Sequence, residues 1–600
     1  MNRTRWLLAG GLLLWAMVDG PGCLPLLAQA ASPAYSERWV YCGFNLQVEK
    51  SADELATLCE RAAKAGYTGI VLSDYKLQIL DRVPDFYFRN AERVKASAAR
   101  AGIEIIPAVF SIGYSNGHLA HDPNLAEGLP VVDQLYVVKE QTGASMPVRS
   151  GAARRPSSSG SRLRVAVLDS RTAQIPNGGL EETQGDRILG FSLQDDPGVT
   201  TFVDREIKHA GKVSLRVEPG TKDSRRSVPL TRLARPVALR PNTPYRFSCW
   251  VKTRDLGPTG GFHLLALGTG RESRQLTFHE GGIERNQDWK QIEVVFNSLD
   301  QREANLYVGL WETGPGTYWV DDLKLEELAL VNVLRRNGCP VTVKSGDGRT
   351  TYVEGRDFEP VVDSQLGQVP WPGEYEFGHP GPTIKLTGSS RIKTGDRLRV
   401  SWYHPVITHS GQMMCCLSEP KLEPILRDQA RRINQLFHPR TFFMSHDEIR
   451  VANWCQACRD RKMTPGQLLA ENVKTCAGIL KAVNPRARVV VWSDMFDPHH
   501  NAVDKYYLIN GSLKGSWEGL PRDVIIANWN SGKARESLAF FAGLGHRQLI
   551  AGFYDASDLS NFEQWHSAAR GVSGVMGFMY TTWQGKYDLL EKYGEAMRGP

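Results

Sequence analysis

The stretch FFMSHDEI, residues 442–449, puts His446 and two adjacent carboxylates, Asp447 and Glu448, at the end of a short apolar run. A run of this length reads as a strand buried on both faces. Neighbouring carboxylates at its tip repel each other, and burying them is costly. A chain keeps such a pair when the charges do chemistry. The chemistry open to it is proton donation by one group and stabilisation of a developing positive centre by the other.

Further candidates stand at the ends of other apolar runs: Asp74 after TGIVLSD, His118 in the loop SIGYSNGH, Trp492 and Asp494 in RVVVWSDM, Asn528 with Trp529, Tyr554 with Asp555, and Trp583. Flat apolar walls mixed with charged acceptors suit a sugar, whose ring faces are apolar and whose hydroxyls need partners. Glycoside cleavage needs a proton donor and a group that stabilises an oxocarbenium-like centre. Each candidate also has a structural reading. Asp74 and Asp494 could cap the helices that follow. The tryptophans could pack an upper core layer, and His118 could be a satisfied loop residue. Asp447 and Glu448 could favour a helix N-terminus, although the next helix starts only near Thr464.

The elements that position these tips alternate strand and helix. Residues 39–110 read as βαβαβ, with a capping box at Ser51-x-x-Glu54, an apolar face of Leu55, Leu58, Cys59 and Ala62, and a stop at Gly66. The rhythm returns after Ser418. Thr464-Pro465-x-Gln467 opens a helix, and TFFMSHDE, RVVVWSDM, VIIANWN, LIAGFYD and VMGFMYTTW read as strands. Three strands before an interruption and five after it make eight, which predicts an α/β fold: a (β/α)8 TIM-type barrel with chemistry at the carboxyl ends of its strands. The interruption is an inserted all-β region. VSLRVE, YRFSCWVKT, QIEVVFNS and NLYVGLW alternate with period two, which predicts a β-sandwich. The expected division is a signal peptide over 1–30, the first barrel part over 31–149 and a Ser/Arg/Gly-rich linker over 150–172. The sandwich follows over 173–329, then a second β-rich insert over 330–410 that includes RVSWYHP, and the second barrel part over 411–600.

The chain begins with a basic MNRTR, an apolar run from Trp6 to Val18, and Ala28-x-Ala30. This pattern predicts a cleaved secretory signal and a periplasmic or extracellular protein with no membrane span. Cys23 lacks the aliphatic residue expected three places before a lipidated cysteine. Of 600 residues, 42% are apolar and 23% charged, as in an ordinary multidomain globular protein. The net charge of +7 falls to +6 once Arg3, Arg5 and Asp19 leave with the signal. The basic residues are scattered, which argues against a nucleic-acid partner. Nine of the ten cysteines remain after cleavage. Cys415-Cys416 and Cys455-x-x-Cys458 flank the 442–449 strand and admit a disulfide, four zinc-binding thiolates (without a second CxxC), or buried thiols. A metal-dependent enzyme using His446 with His499 or His500 is another reading; Asp497-Pro-His-His lacks helical ligand spacing.

The order of strand tips resembles the family 20 β-N-acetylhexosaminidases. Asp447-Glu448, Trp492, Trp529, Tyr554, Asp555 and Trp583 stand where that family has a strand-four Asp-Glu pair, tryptophans on strands five and six, Tyr then Asp on strand seven, and Trp on strand eight. The resemblance implies a glycoside hydrolase with substrate-assisted retaining catalysis and no catalytic cofactor. Glu448 would protonate the leaving oxygen. Asp447 would orient the 2-acetamido group, Tyr554 would bond its oxygen, and the tryptophans would wall the pocket; His446, Asp74, His118 and Asp494 are sugar-binding candidates from their place at the strand tips, not from the resemblance. The chain departs from the family at His446, where a small residue is usual, at Gln584, where Glu is common, and in showing no strand-one Arg in YCGFNL. These departures leave two alternatives: a non-catalytic carbohydrate-binding protein with a degenerate barrel, or a glycosidase for non-acetylated sugars. In the insert, IPNGGLEE, DWKQIEVVF and TYWVDDLKLEE resemble CenC-type carbohydrate-binding modules of families 4 and 9. That implies a jelly-roll sandwich with a structural calcium near Glu181 and Asp321, and an oligo- or polysaccharide ligand. Alternation in YRFSCWVKT puts Trp250 opposite Tyr245, Phe247, Cys249 and Val251, as a sugar platform or a surface covered by a neighbouring domain.

Overall fold

The computed structural model describes residues 35–142, 162–169, 175–220, 231–257, 259–270, 273–311, 314–366, 371 and 373–598. The expected signal, residues 1–30, lies outside this set. Among the described residues no helix is long and apolar enough to cross a membrane.

Eight strands close into a barrel: β1 (Glu37–Gly43), β2 (Gly69–Ser73), β3 (Glu104–Val109), β4 (Thr441–Met444), β5 (Arg488–Trp492), β6 (Ile525–Asn528), β7 (Gln548–Phe553) and β8 (Val575–Thr581). Every neighbouring pair is parallel, and β8 closes on β1. Alternation along the strands sorts the side chains. Trp39, Tyr41, Ile106, Ala108, Phe443, Val490, Trp492, Ile525, Ala527, Leu549 and Ala551 fill the interior. Val40, Cys42, Ile105, Val109, Phe442, Met444, Val491 and Ile526 instead join the larger core under the outer helices. Trp39 fits because Gly69 faces it: a Cβ there would lie 3.0 Å from the indole Cδ1.

The outer helices follow their sequence signals with one shift. Thr464 and Gln467 form the reciprocal capping box ahead of Pro465–Val483. The helix expected at Ser51 begins earlier, at Glu49, so Ser51 lies inside it. Its hydroxyl takes the Asn45 N–H instead of capping.

Residues 110–440, between β3 and β4, carry the insert. It holds two five-stranded antiparallel sheets, one centred on Pro244–Arg254 and Thr317–Glu327, the other on Phe262–Gly268 and Glu303–Leu310. The sheets meet where Phe262 sets its ring edge-on against Tyr318, centroids 5.3 Å apart. A six-stranded sheet built around Leu129–Thr142 and Arg397–His404 joins them to the barrel.

That third sheet corrects two expected boundaries. Arg162–Leu168, inside the stretch read as a linker, is a strand antiparallel to Leu129–Thr142. Leu129–Thr142, assigned to the first barrel part, belongs to the insert instead. RLRVAVL alternates charged and apolar residues, but the Ser/Arg-rich residues before it hide the pattern. The sandwich is fixed to the barrel side through Arg274, whose Nη1 donates to the carbonyls of Tyr507 (3.3 Å) and Ile509 (3.2 Å). Phe278 stacks on His409, 5.4 Å between centroids, next to the barrel mouth.

Candidate active site at the barrel mouth

The chain after β3 and the chain after β4 run side by side. Ser445 N–H donates to Val109 O (2.8 Å), and Ile112 N–H donates to Ser445 O (3.0 Å). They touch at Gly113, where a Cβ would lie 1.8 Å from Asp447 O, so only glycine permits this approach. The pair 447–448 therefore sits on a loop braced from beneath, not at a helix N-terminus.

Glu448 occupies the left-handed region at φ 48°, a conformation unfavourable for a residue with a Cβ. Two contacts hold its backbone there: its N–H donates to Asp494 Oδ2 (2.8 Å), and Gln412 Nε2 lies 3.5 Å from its carbonyl. Both carboxylate oxygens are engaged. Oε1 pairs with Arg450 Nη2 at 2.9 Å, and Oε2 accepts from the Tyr114 hydroxyl. Arg450 is buried and is itself held by Gln412 Oε1. Asp447 differs. Its Oδ1 is buried with no hydrogen-bond partner. Burial first, then the charges of Asp494 and Glu448, push its carboxyl well above the usual carboxylate range.

A cleft of about 1040 Å³ opens above this pair, lined by Asp447, Glu448, Tyr41, Tyr114, Trp492, Trp529, Tyr554 and Trp583 among others. That is at the upper end of ordinary small-molecule sites, roughly 300–1,000 Å³, and admits a ligand of several rings. Tyr41 forms the hub of the inner wall, 5.2 Å from Trp492 and 5.1 Å from Trp583. Trp529 and Tyr554 lie nearly parallel, 9° apart, at 5.9 Å. The indole N–H groups of Trp492 and Trp529 are buried without a protein partner. Trp583, 54% exposed, stands at the rim. Phe553, Tyr554 and Asp555 take positive φ in succession, 73°, 50° and 59°, which turns Tyr554 into the cleft. Burial, then Asp494 and Asp447, keep the Tyr554 phenol protonated far above its ordinary value, so it stays a donor.

The other sequence candidates hold structure. Asp74 is near the cleft, but its carboxylate accepts from Leu46 N–H (2.9 Å), Lys76 N–H (2.9 Å) and the Tyr87 hydroxyl (3.0 Å), capping the turn Tyr75–Gln78. Asp494 is fully buried and serves Glu448 N–H and Asn501 Nδ2 (2.9 Å). Asp555 accepts from Thr582 Oγ1, Trp583 N–H and Gln584 N–H and so fixes the β8 tip. His118 and His446 are buried on the outer side of the strands, bonded to Gln429 (3.0 Å) and Asn472 (3.1 Å). Burial lowers each imidazole to about 4, so both are neutral. Tyr114, Arg450 and Tyr41 were not singled out from the sequence. Arg450 stands two residues after Glu448, the spacing that could have flagged it.

On the sandwich, Trp250 does not present a free platform: His209 stacks on it at 3.9 Å and 14°, tied in turn to Asp322 (2.6 Å). Glu181 accepts Lys212 N–H on both oxygens (2.9 Å each), and Asp321 accepts His209, Ala210 and Asp322 N–H groups. Among the described residues, a convergent group of three or more metal-ligating side chains is formed by Glu127, Cys416, Cys455 and Cys458.

No protein-family profile and no curated protein matches the chain. Among solved structures, a family 16 carbohydrate-binding module matches 24% of this chain and 98% of its own, at 17% identity and a TM-score of 0.19. A TmCBM61 module in complex with β-1,4-galactotriose matches 26% of this chain and 100% of its own, at 16% identity and a TM-score of 0.20. A rhamnosidase from Novosphingobium sp. PP1Y matches 95% of this chain and 59% of its own, at 10% identity and a TM-score of 0.31. Likenesses of this size assign neither a family nor an activity.

Proposed function

We propose that this chain is an exported glycoside hydrolase acting on β-linked N-acetylhexosamine residues of an oligo- or polysaccharide. The observation that carries the reading is the Asp447–Glu448 pair projecting into a cleft walled by Tyr41, Trp492, Trp529, Tyr554 and Trp583. In substrate-assisted cleavage, the acetamido oxygen attacks the anomeric carbon while the glycosidic C–O bond breaks, and Glu448 gives its proton to the leaving oxygen. Asp447 Oδ1, without a protein partner, would take the acetamido N–H, and the protonated Tyr554 phenol would donate to the acetamido oxygen. Water then opens the cyclic intermediate, with Glu448 as base. A calcium ion at Glu181 and Asp321 would share those carboxylates with the N–H groups they accept; it plays no part in this chemistry.

One observation favours a second reading, a barrel that binds glycans without cleaving them. Both oxygens of Glu448 are occupied by Arg450 and Tyr114. A leaving group must displace one of these contacts before Glu448 can serve it. The test is a panel of chromogenic β-N-acetylglucosaminide, β-N-acetylgalactosaminide, β-glucoside and β-galactoside. Turnover confined to the acetamido sugars is the expected result. Equal turnover of the plain glycosides would remove acetamido participation, and binding without turnover of any would leave the second reading.

A further inference from the structure

The densest cluster of nucleophilic groups outside the cleft lies where four chain segments cross behind the β4 loop. Cys416 Sγ is 3.5 Å from both Cys455 Sγ and Cys458 Sγ. Cys458 Sγ is 3.5 Å from Glu127 Oε2. These four donor atoms all lie within 4.8 Å of one another, and all four residues are buried. Cys339, also buried, lies beside this set: Gln456 N–H donates to Gly338 O at 3.0 Å.

Three facts select a metal over the other uses of thiols. A disulfide needs sulfurs about 2 Å apart and joins two of them. Here Cys416 Sγ is equidistant from two others; a disulfide uses one of these contacts, whereas a metal ion uses both. A tetrahedral zinc ion with Zn–S bonds of about 2.3 Å sets its sulfurs roughly 3.8 Å apart, close to the spacing present. The surroundings also suit a negatively charged thiolate centre. The Arg336 side chain is buried with its Nε unpartnered; it pairs with Glu419 (3.4 Å) and donates to Ala126 O (2.9 Å). Glu127 Oε1 takes the N–H groups of Trp454 (2.7 Å) and Cys455 (2.8 Å), which fixes the turn that carries the CxxC.

We propose that Cys416, Cys455 and Cys458 hold a structural zinc ion, with Cys339 Sγ or Glu127 Oε2 as the fourth donor. Such a closed site has no position for a substrate. Its ligands come from the segment after β3, the insert, its return to the barrel, and the loop after β4. It therefore anchors the stretch from Ser445 to Cys458 that carries Asp447, Glu448 and Arg450. The sequence shows three of these ligands, in Cys415-Cys416 and Cys455-x-x-Cys458, but not the fourth, which comes from a distant segment.

The test is elemental analysis of the purified full chain, with peptide mapping of alkylated thiols. About one zinc per chain is expected, with these thiols unlinked. Cys455→Ser with Cys458→Ser should bring zinc below about 0.1 per chain, while Cys476→Ser, buried elsewhere, keeps it. Replacing zinc by cobalt(II) should give thiolate-to-metal absorption in the near ultraviolet, a readout independent of activity and of mutant folding. Loss of zinc on Cys339→Ser with retention on Glu127→Gln assigns the fourth position to Cys339, and the reverse assigns it to Glu127. Wild-type protein free of transition metal, or a peptide linking Cys416 to Cys455 or Cys458, or Cys339 to Cys455, by a disulfide, would overturn the proposal.

Discussion

The barrel mouth and the outer face of the sandwich both carry tryptophans and acidic residues at positions that suggest sugar binding, yet their polar atoms are used differently. At the mouth, Asp447 Oδ1 and the indole N–H groups of Trp492 and Trp529 are buried with no partner in the protein. On the sandwich, Glu181 and Asp321 accept main-chain N–H groups, and one face of Trp250 is occupied by His209. Leaving a buried polar group unpaired costs roughly 1–3 kcal/mol, and the three at the mouth open toward one cleft, where a ligand that pairs them recovers that cost. The satisfied carboxylates of the sandwich already do their work by closing the 209–212 turn.

Breaking the mouth should have the largest effects. Asp447→Asn should lower kcat about 10³-fold on an acetamido glycoside, because the charge that offsets the acetamido nitrogen is lost. The same change should raise the melting temperature at neutral pH. A carboxyl whose folded pKa is raised contributes stability that is present below its ordinary value and lost as pH climbs through the raised one. Asn removes that loss, so the gain should vanish near pH 3. A melting temperature unchanged at pH 7 would show that Asp447 is not under this strain. Next, Asp494→Ala should cost about 10²-fold in kcat with little change in KM, by freeing the Glu448 backbone. Asp494→Asn, which keeps an acceptor, should restore part of it. A loss confined to KM would instead place Asp494 against the substrate.

The histidines sharpen the comparison from another side. His118, His404 and His446 are buried with pKa values lowered to about 4. Their folded values are depressed, so the stability they contribute is present above about 6.5 and lost as pH falls toward 4. The most each can contribute is roughly 3 kcal/mol. Thermal unfolding followed from pH 7 to pH 4 should show a steep decline, flattened in His446→Asn. Activity of that variant at pH 7 should stay within a few-fold of wild type; a larger loss would return His446 to the site. The smallest effect is expected at Trp250→Ala, which should leave glycan affinity within about threefold, measured by calorimetry. A larger drop would make the sandwich a binding surface after all.

Much of the architecture is legible in the sequence because each barrel strand is a short apolar run and each outer helix has its own period. The tips Trp492, Trp529, Tyr554 and Trp583 could be placed by counting strands. What a tip side chain bonds to is not in that pattern. Asp74 and Asp555 read like ligands until their acceptors are seen to be filled by Lys76 and Trp583 N–H groups a turn or a strand away. Arg162–Leu168 was missed for a similar reason: its partner strand, Leu129–Thr142, decides it, and the intervening composition looks like a linker. Cys339, Cys416 and Cys458 converge only after the insert folds back.

The central claim is that Glu448 transfers a proton to a glycosidic oxygen in this cleft. Its most direct test measures kcat and Kd of wild type and Glu448→Gln on the same β-N-acetylglucosaminide. The account predicts a loss in kcat of about 10³-fold or more with Kd within about threefold, since the amide keeps the shape and removes the acid. An unchanged kcat would contradict it, and so would wild-type protein that binds the glycoside without turning it over.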